Sequence, residues 1–278
     1  MKLDAGWVDT TSAGEITPAF FARPAAAVAA QAPLPAVVVI HELFGVDAHI
    51  EDVVRRLATA GYEVLAPDLW AAGGGRPEAL ARDRVEAVRA FLNANPAAWS
   101  TPTARQEALA RVAEDQRAGL EATLARLFGS DEGRAQRFAR YTEIARGAVA
   151  HLRAAAAAGA KRKVASLGFC MGGGISGLLA CAEPTLTPAV VFYGAPPPLD
   201  RVPSITCPIL GHYADPDPRI TPNVPAFAEA MRAHGNFFDP HVYAAPHAFF
   251  NDTGAAYRID AARTAWARTL TFLSQNLG

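Results

Sequence analysis

The run Val164-Ala165-Ser166-Leu167-Gly168-Phe169-Cys170-Met171-Gly172-Gly173 decides the architecture. Residues 164–169 read as a buried strand, and a helix is expected over 175–181. A strand, a sharp turn and a helix in immediate succession belong to a mostly parallel sheet covered on both faces. The turn has the form G-x-nucleophile-x-G. Small residues flank such a turn because its backbone is strained and packs closely on its neighbours. It lifts Cys170 above the carboxyl ends of the strands. It also sets the thiol at a helix N-terminus, where partial positive charge favours thiolate. The backbone N–H of Met171 then faces the oxygen of an attacked carbonyl.

Working outward, residues 37–40 are β-branched and bounded by Pro35 and Gly45, and they read as another buried strand. Val53, Val54, Leu57 and Ala58 follow at helical spacing, and Gly61 closes that helix. Further strands are expected at 62–66, 189–193, 208–213 and 238–243, and helices at 224–234 and 256–277. Residues 1–35 suggest a leading β-hairpin or a meander, with less regular structure. Residues 76–157, roughly, read as helical almost throughout, with no convincing strand. Thr101-Pro102 is a good helix start, and Leu109, Val112, Leu120, Leu124 and Leu127 recur at helical spacing. Gly129 and Gly133 break the run, and a second helix is expected from about Arg134 through Ala158, ending at Gly159. The chain is thus expected to be one domain, 1–278, with a helical insertion at about 93–146. The insertion reads equally as a lid, as extra packing on a sheet edge, or as a dimer contact.

Two other readings compete at the elbow. A cysteine among apolar residues is usually a small buried hydrophobe, and that reading is taken for Cys181 and Cys207. Gly172-Gly173-Gly174-Ile175-Ser176-Gly177 also matches G-x-G-x-x-G, a dinucleotide cradle. The strand at 189–193 ends in Gly194 with no carboxylate to hold a ribose, so the glycines are read as close helix–sheet packing.

A nucleophile on such an elbow needs a base, and the base an orienting acid, in the order nucleophile, acid, histidine. His247 lies in Ala245-Pro246-His247-Ala248-Phe249-Phe250, a loop between the last strand and the last helix. His212 and His241 fall inside strands, and His234 ends a helix. The acid comes from Asp215-Pro216-Asp217-Pro218-Arg219-Ile220; Asp217 is preferred and Asp215 held in reserve. Upstream, the N–H of Leu43 pairs with that of Met171 as an oxyanion hole. Glu42 stands beside the nucleophile, where a carboxylate opposes thiolate formation or accepts the thiol proton.

The totals narrow the partners. With 26 basic and 27 acidic residues in 278, the formal net charge is −1, so no nucleic-acid or anionic-membrane surface is expected. No apolar run has membrane-spanning length, and no signal peptide is read. Three cysteines, an odd number, make a disulfide framework improbable and fit a reducing, cytoplasmic setting. No His/Cys/Asp/Glu cluster has metal-ligand spacing, and no cofactor is expected.

Taken together, Gly168-Phe169-Cys170-Met171-Gly172-Gly173, His41-Glu42-Leu43-Phe44-Gly45, Pro67-Asp68-Leu69-Trp70, Asp217-Pro218-Arg219-Ile220 and Pro246-His247-Ala248-Phe249 resemble the dienelactone hydrolase family, from about residue 10 to 278 apart from the insertion. The resemblance implies an α/β-hydrolase fold and cleavage of an ester or lactone. It implies a triad of Cys170, Asp217 and His247, and it favours Asp217 over Asp215. It also implies that Glu42 holds the resting thiol and yields it when substrate binds. Phe44 falls in the candidate substrate-binding set. Family members acting on dienelactone carry an arginine four residues after the histidine, where this chain has Asn251. A second arginine in the helical segment after the second strand aligns with Arg82 or Arg84. The expected partner is a small-molecule ester or lactone, and the expected assembly a monomer or homodimer. A thiol-sensing or ligand-binding module on the same scaffold is the second reading, and a nicotinamide-dependent enzyme the third.

Overall fold

Eight strands form one sheet in the order β1-β2-β4-β3-β5-β6-β7-β8. The computed structural model describes residues 1–29, 34–99, 101–129, 133–155 and 162–278. β1 (Leu3–Ser12) and β2 (Glu15–Pro24) form the leading hairpin, turned by Ala13 and Gly14 at positive φ. β2 pairs antiparallel with β4 (Glu63–Pro67). From there β3 (Ala36–Ile40), β5 (Val164–Phe169), β6 (Ala189–Phe192), β7 (Ile209–Ala214) and β8 (Phe238–Tyr243) run parallel.

All five residues of β3 and all six of β5 are buried, because helices cover both faces. On one face, Val37 and Val39 pack against α2 (Ala48–Thr59) and α9 (Ile259–Leu277) through Val53, Val54, Leu57, Phe272 and Leu273. On the other face, Val38 and Ile40 meet α6 (Arg134–Ala154), α7 (Met171–Ala182) and α8 (Val224–Ala233). Alternation along a single strand therefore feeds two cores.

A third apolar cluster lies beside the sheet. It joins α3 (Arg82–Ala94), α4 (Pro102–Leu109) and α5 (Glu114–Phe128) through Val88, Leu92, Leu109, Leu124 and Leu127. Thr101 caps α4, accepting from the Ala104 N–H at 3.1 Å, with Pro102 in its first turn. Gly129 ends α5 and Gly133, in the left-handed region, starts α6. The expected end of α6 at Ala158 and Gly159 lies outside the described residues. α6 belongs to two layers at once. Phe138 and Tyr141 face the third cluster or the site, whereas Ile144, Ala145, Ala148, Val149 and Leu152 are buried on the sheet. The short α1 (Ala25–Ala29) follows β2.

Candidate active site

Cys170 sits between β5 and α7 with φ 53° and ψ −114°, a backbone that L-residues rarely adopt. Its N–H donates to the Phe192 carbonyl at 2.9 Å, which anchors the turn to β6. The glycines around it are there for proximity. A Cβ at Gly172 would collide with the Ile40 carbonyl, and one at Gly168 with the Gly172 backbone. Close packing, as expected, is thus what these glycines serve. Four non-glycine residues among those described have positive φ: Ala13 in the hairpin, and Cys170, Tyr193 and Ala248. The last three all stand at the strand ends around the thiol. Such strain concentrates at functional sites.

Asp217 and His247 come from the loops after β7 and β8. His247 Nδ1 lies 2.6 Å from Asp217 Oδ2. Burial of Asp217 favours its neutral form, but the His247 hydrogen bond and charge and the Arg219 backbone N–H outweigh it, so its pKa falls below the usual carboxylate range. An ionised carboxylate only accepts, so Nδ1 carries the proton. Burial works against the His247 imidazolium as well. The Cys170 sulfur, through its charge, and Asp217, through its hydrogen bond and charge, overcome this and raise the pKa to about 10. His247 Nε2 is buried and has no hydrogen-bond partner of good geometry among the described residues. Asp215 is exposed and makes no bond to His247; its N–H donates to the Tyr243 and Ala245 carbonyls.

The loop at 41–45 is held from behind. His41 is buried and its pKa is lowered by that burial. The neutral ring accepts from the Leu69 N–H at Nε2 (3.0 Å) and donates from Nδ1 to the Glu42 carbonyl (2.6 Å). Trp70 Nε1 donates to the Leu43 carbonyl at 3.0 Å, fixing the orientation of that peptide. The Leu43 and Met171 N–H groups donate no hydrogen bond among the described residues, and both residues line the cavity. Phe44 lines it too, edge-on to Trp99 at 5.8 Å.

Glu42 is buried, and its two oxygens are taken. Tyr193 Oη donates to Oε1 at 3.0 Å and Asn251 Nδ2 to Oε2 at 2.6 Å. Burial, together with the Glu42 and Cys170 charges, pushes the Tyr193 phenol well above its ordinary pKa, so it remains a donor. No hydrogen bond joins Glu42 to Cys170 among the described residues. Tyr193 and Trp70 are site residues that sequence reasoning left without a role. The one available signal was position, since Tyr193-Gly194 ends the strand next to the elbow.

The two sequence-expected arginines are elsewhere. Arg82 pairs with Glu51 at 3.3 Å and covers the Trp7 ring, and Arg84 pairs with Glu78 at 3.4 Å. Neither lines the cavity over Cys170. Arg89, two helical turns beyond Arg82, does, as do Arg126, Arg219 and Arg258. Cys181 and Cys207 are buried, and burial pushes their thiols up to about 11 and about 12. His212 is buried between Tyr243 Oη and Thr269 Oγ1, His234 bonds the Ala230 carbonyl, and His241 bonds Asp239.

The cavity over Cys170 and His247 measures about 750 Å³. Its outer wall is aromatic and comes from the helical segment: Trp99, Phe128, Phe138 and Tyr141. Glu42 is the one carboxylate among the described residues that line it.

The chain is similar to known proteins along nearly its whole length. A Saccharolobus solfataricus protein named as a carboxymethylenebutenolidase is 33% identical over 258 residues, covering 92% of each chain. A Bradyrhizobium protein named as a 2-oxo-3-(5-oxofuran-2-ylidene)propanoate lactonase is 31% identical over 98% of this chain and 94% of its own. A crystal structure described as a dienelactone hydrolase from Klebsiella pneumoniae superposes with a TM-score of 0.70 at 28% identity, covering 99% of this chain and 100% of that one. The fold is that of the α/β-hydrolases. With residues 18–277 matching the family model for the dienelactone hydrolase family, the chain belongs to that family.

Proposed function

We propose that this protein hydrolyses an ester or lactone by acyl transfer to Cys170. The thiol proton passes to His247 Nε2, and the sulfur attacks the carbonyl carbon. The Leu43 and Met171 N–H groups receive the oxyanion, and Asp217 stabilises the imidazolium. His247 returns its proton to the leaving oxygen, which departs as an alcohol or, from a lactone, as the free end of the opened ring. It then activates water to release the acid and restore the thiol. The observation that carries this reading is the 2.6 Å Asp217–His247 bond with Nε2 left unpartnered beside a strained cysteine.

The lining favours a substrate with an anionic group and apolar bulk. Arg126 and Arg258 form no ion pair among the described residues, and the aromatic wall offers several rings for packing. The names of the relatives, a carboxymethylenebutenolidase and a lactonase, support a lactone among the substrates. The free cysteines support the cytoplasm as the site of action. The test is Cys170→Ala. It is expected to abolish turnover of small aryl esters and of unsaturated lactone carboxylates while leaving the thermal transition in place. Retained turnover refutes the nucleophile.

A further inference from the structure

Glu42 and Cys170 follow just beyond the ends of the neighbouring strands β3 and β5. Ile40 pairs with Gly168 in the parallel register of β3 and β5, so two residues further along each chain stand Glu42 and Cys170. Adjacent strands run about 5 Å apart. A carboxylate at that position is within reach of the sulfur, and a hydrogen bond from the thiol to it would hold the proton on sulfur. The carboxylate instead turns to Tyr193 and Asn251.

What turns it is a chain of side chains from a distant helix start. Asp47, the N-cap of α2, uses Oδ1 to accept from the Ile50 N–H at 2.9 Å and Oδ2 to pair with Arg89 Nη2. Arg89 Nη1 donates to Thr253 Oγ1 at 3.3 Å. The Thr253 hydroxyl and N–H donate to Asn251 Oδ1 at 2.7 and 3.0 Å. With Oδ1 claimed by two donors, the amide has one orientation, and Nδ2 must face Glu42. Asn251 stands where the resemblance suggested a substrate contact, yet its polar atoms are committed to protein partners.

We propose that Asn251 is a positioning residue that keeps the Glu42 carboxylate off the Cys170 sulfur, leaving the thiol proton free to pass to His247 Nε2 before any substrate arrives. The transfer breaks S–H and forms N–H, giving a thiolate and an imidazolium with no other reactant. The resting enzyme is then already nucleophilic, rather than switched on by its substrate. This rests on Cys170 and His247 acting as a pair, as in the proposed function.

The experiment alkylates the substrate-free full chain with iodoacetamide across pH 5–9 and reads each cysteine by mass spectrometry. Cys181 and Cys207, buried and with thiols pushed up to about 11 and about 12, serve as internal slow references. Wild type is expected to react at Cys170 alone at pH 7. Asn251→Ala is expected to react at least about tenfold more slowly there, with the acid limb of the profile moved to higher pH. In a Glu42→Gln background, Asn251→Ala is expected to have no effect, because the group it positions is gone. Should Asn251→Ala not fold, Thr253→Val, which removes the hydroxyl that orients the amide, is expected to slow alkylation in the same direction by a smaller factor. An unchanged rate and profile in the folded variant, or an equal loss in the Glu42→Gln background, overturns the inference. Activity of Cys170→Ala tells the two readings apart: if that variant turns over ester, the proposed function falls, and if it is inactive while Asn251→Ala alkylates normally, only the positioning role falls.

Discussion

Asp217→Asn is isosteric and removes one charge from a buried position. The Asp217 side chain is about 3% exposed, and its Oδ2 accepts from His247 at 2.6 Å. A hydrogen bond to a charged group contributes about 1.5–3 kcal/mol. That stabilisation grows as His247 becomes imidazolium, which is the state that accompanies attack by sulfur. Its loss therefore lowers the share of enzyme in the thiolate–imidazolium form required by the proposed attack and predicts a drop in kcat/KM of roughly 10- to 150-fold. A second cost adds to it. The amide can present its NH2 to Nδ1, and a ring accepting there carries its proton on Nε2, where the base must be free. The combined loss is expected to exceed about 100-fold. The assay is kcat/KM for p-nitrophenyl acetate at pH 7.5, with a thermal melt confirming the fold. Asp215→Asn is the control: that side chain is exposed and touches neither triad partner, so kcat/KM is expected within about twofold of wild type. If Asp217→Asn retains activity within threefold of wild type, the imidazole is not oriented by this carboxylate and the proposed mechanism fails.

The His247 ring is expected to titrate near pH 10 in wild type by NMR, and well below that in Cys170→Ala, which lacks the sulfur charge. Since the folded value lies above the ordinary 6.5, the group stabilises the fold fully below about pH 6.5 and this stabilisation is lost as pH rises towards 10; a ring titrating near 6.5 in wild type would contradict the coupling. Trp70→Phe removes the indole donor on the Leu43 carbonyl while keeping an aromatic ring. It is expected to lower kcat about 5- to 10-fold with little change in KM and to cost about 1 kcal/mol in a urea titration; unaltered kcat would show that the Leu43 peptide needs no such support.

The parts legible in sequence were those set by local chemistry. β3 and β5 are recognisable because a strand buried on both faces must be apolar along its whole length, and 37–40 and 164–169 are. The elbow is recognisable because Gly168 and Gly172 answer a steric demand within four residues of one another. Order along the chain brought out Asp217 and His247, since a parallel sheet puts successive loops at one end. Direction along a helix was not legible. Arg82 and Arg89 are seven residues apart, nearly the same face of α3, but about 10 Å apart along its axis. That displacement separates a contact with Glu51 from one with the cavity. The Glu42–Asn251 bond spans 209 residues, and no short-range pattern encodes it. For the same reason, the Tyr193 and Asn251 partners of Glu42 are not readable from its neighbours in the chain.

α6 carries a consequence for selectivity. Phe138 and Tyr141 stand on the same rigid rod as Ile144, Ala148, Val149 and Leu152, which are sunk in the sheet's cover. Displacing those two rings would drag buried aliphatic groups with them, at a cost of kilocalories. One side of the chamber is therefore a fixed template whose shape any bound molecule has to match. Other aromatic and aliphatic lining, Leu92 of α3, Trp99, and Leu127 and Phe128 of α5, is set instead on or beside the third apolar cluster, which Tyr141 joins to α6.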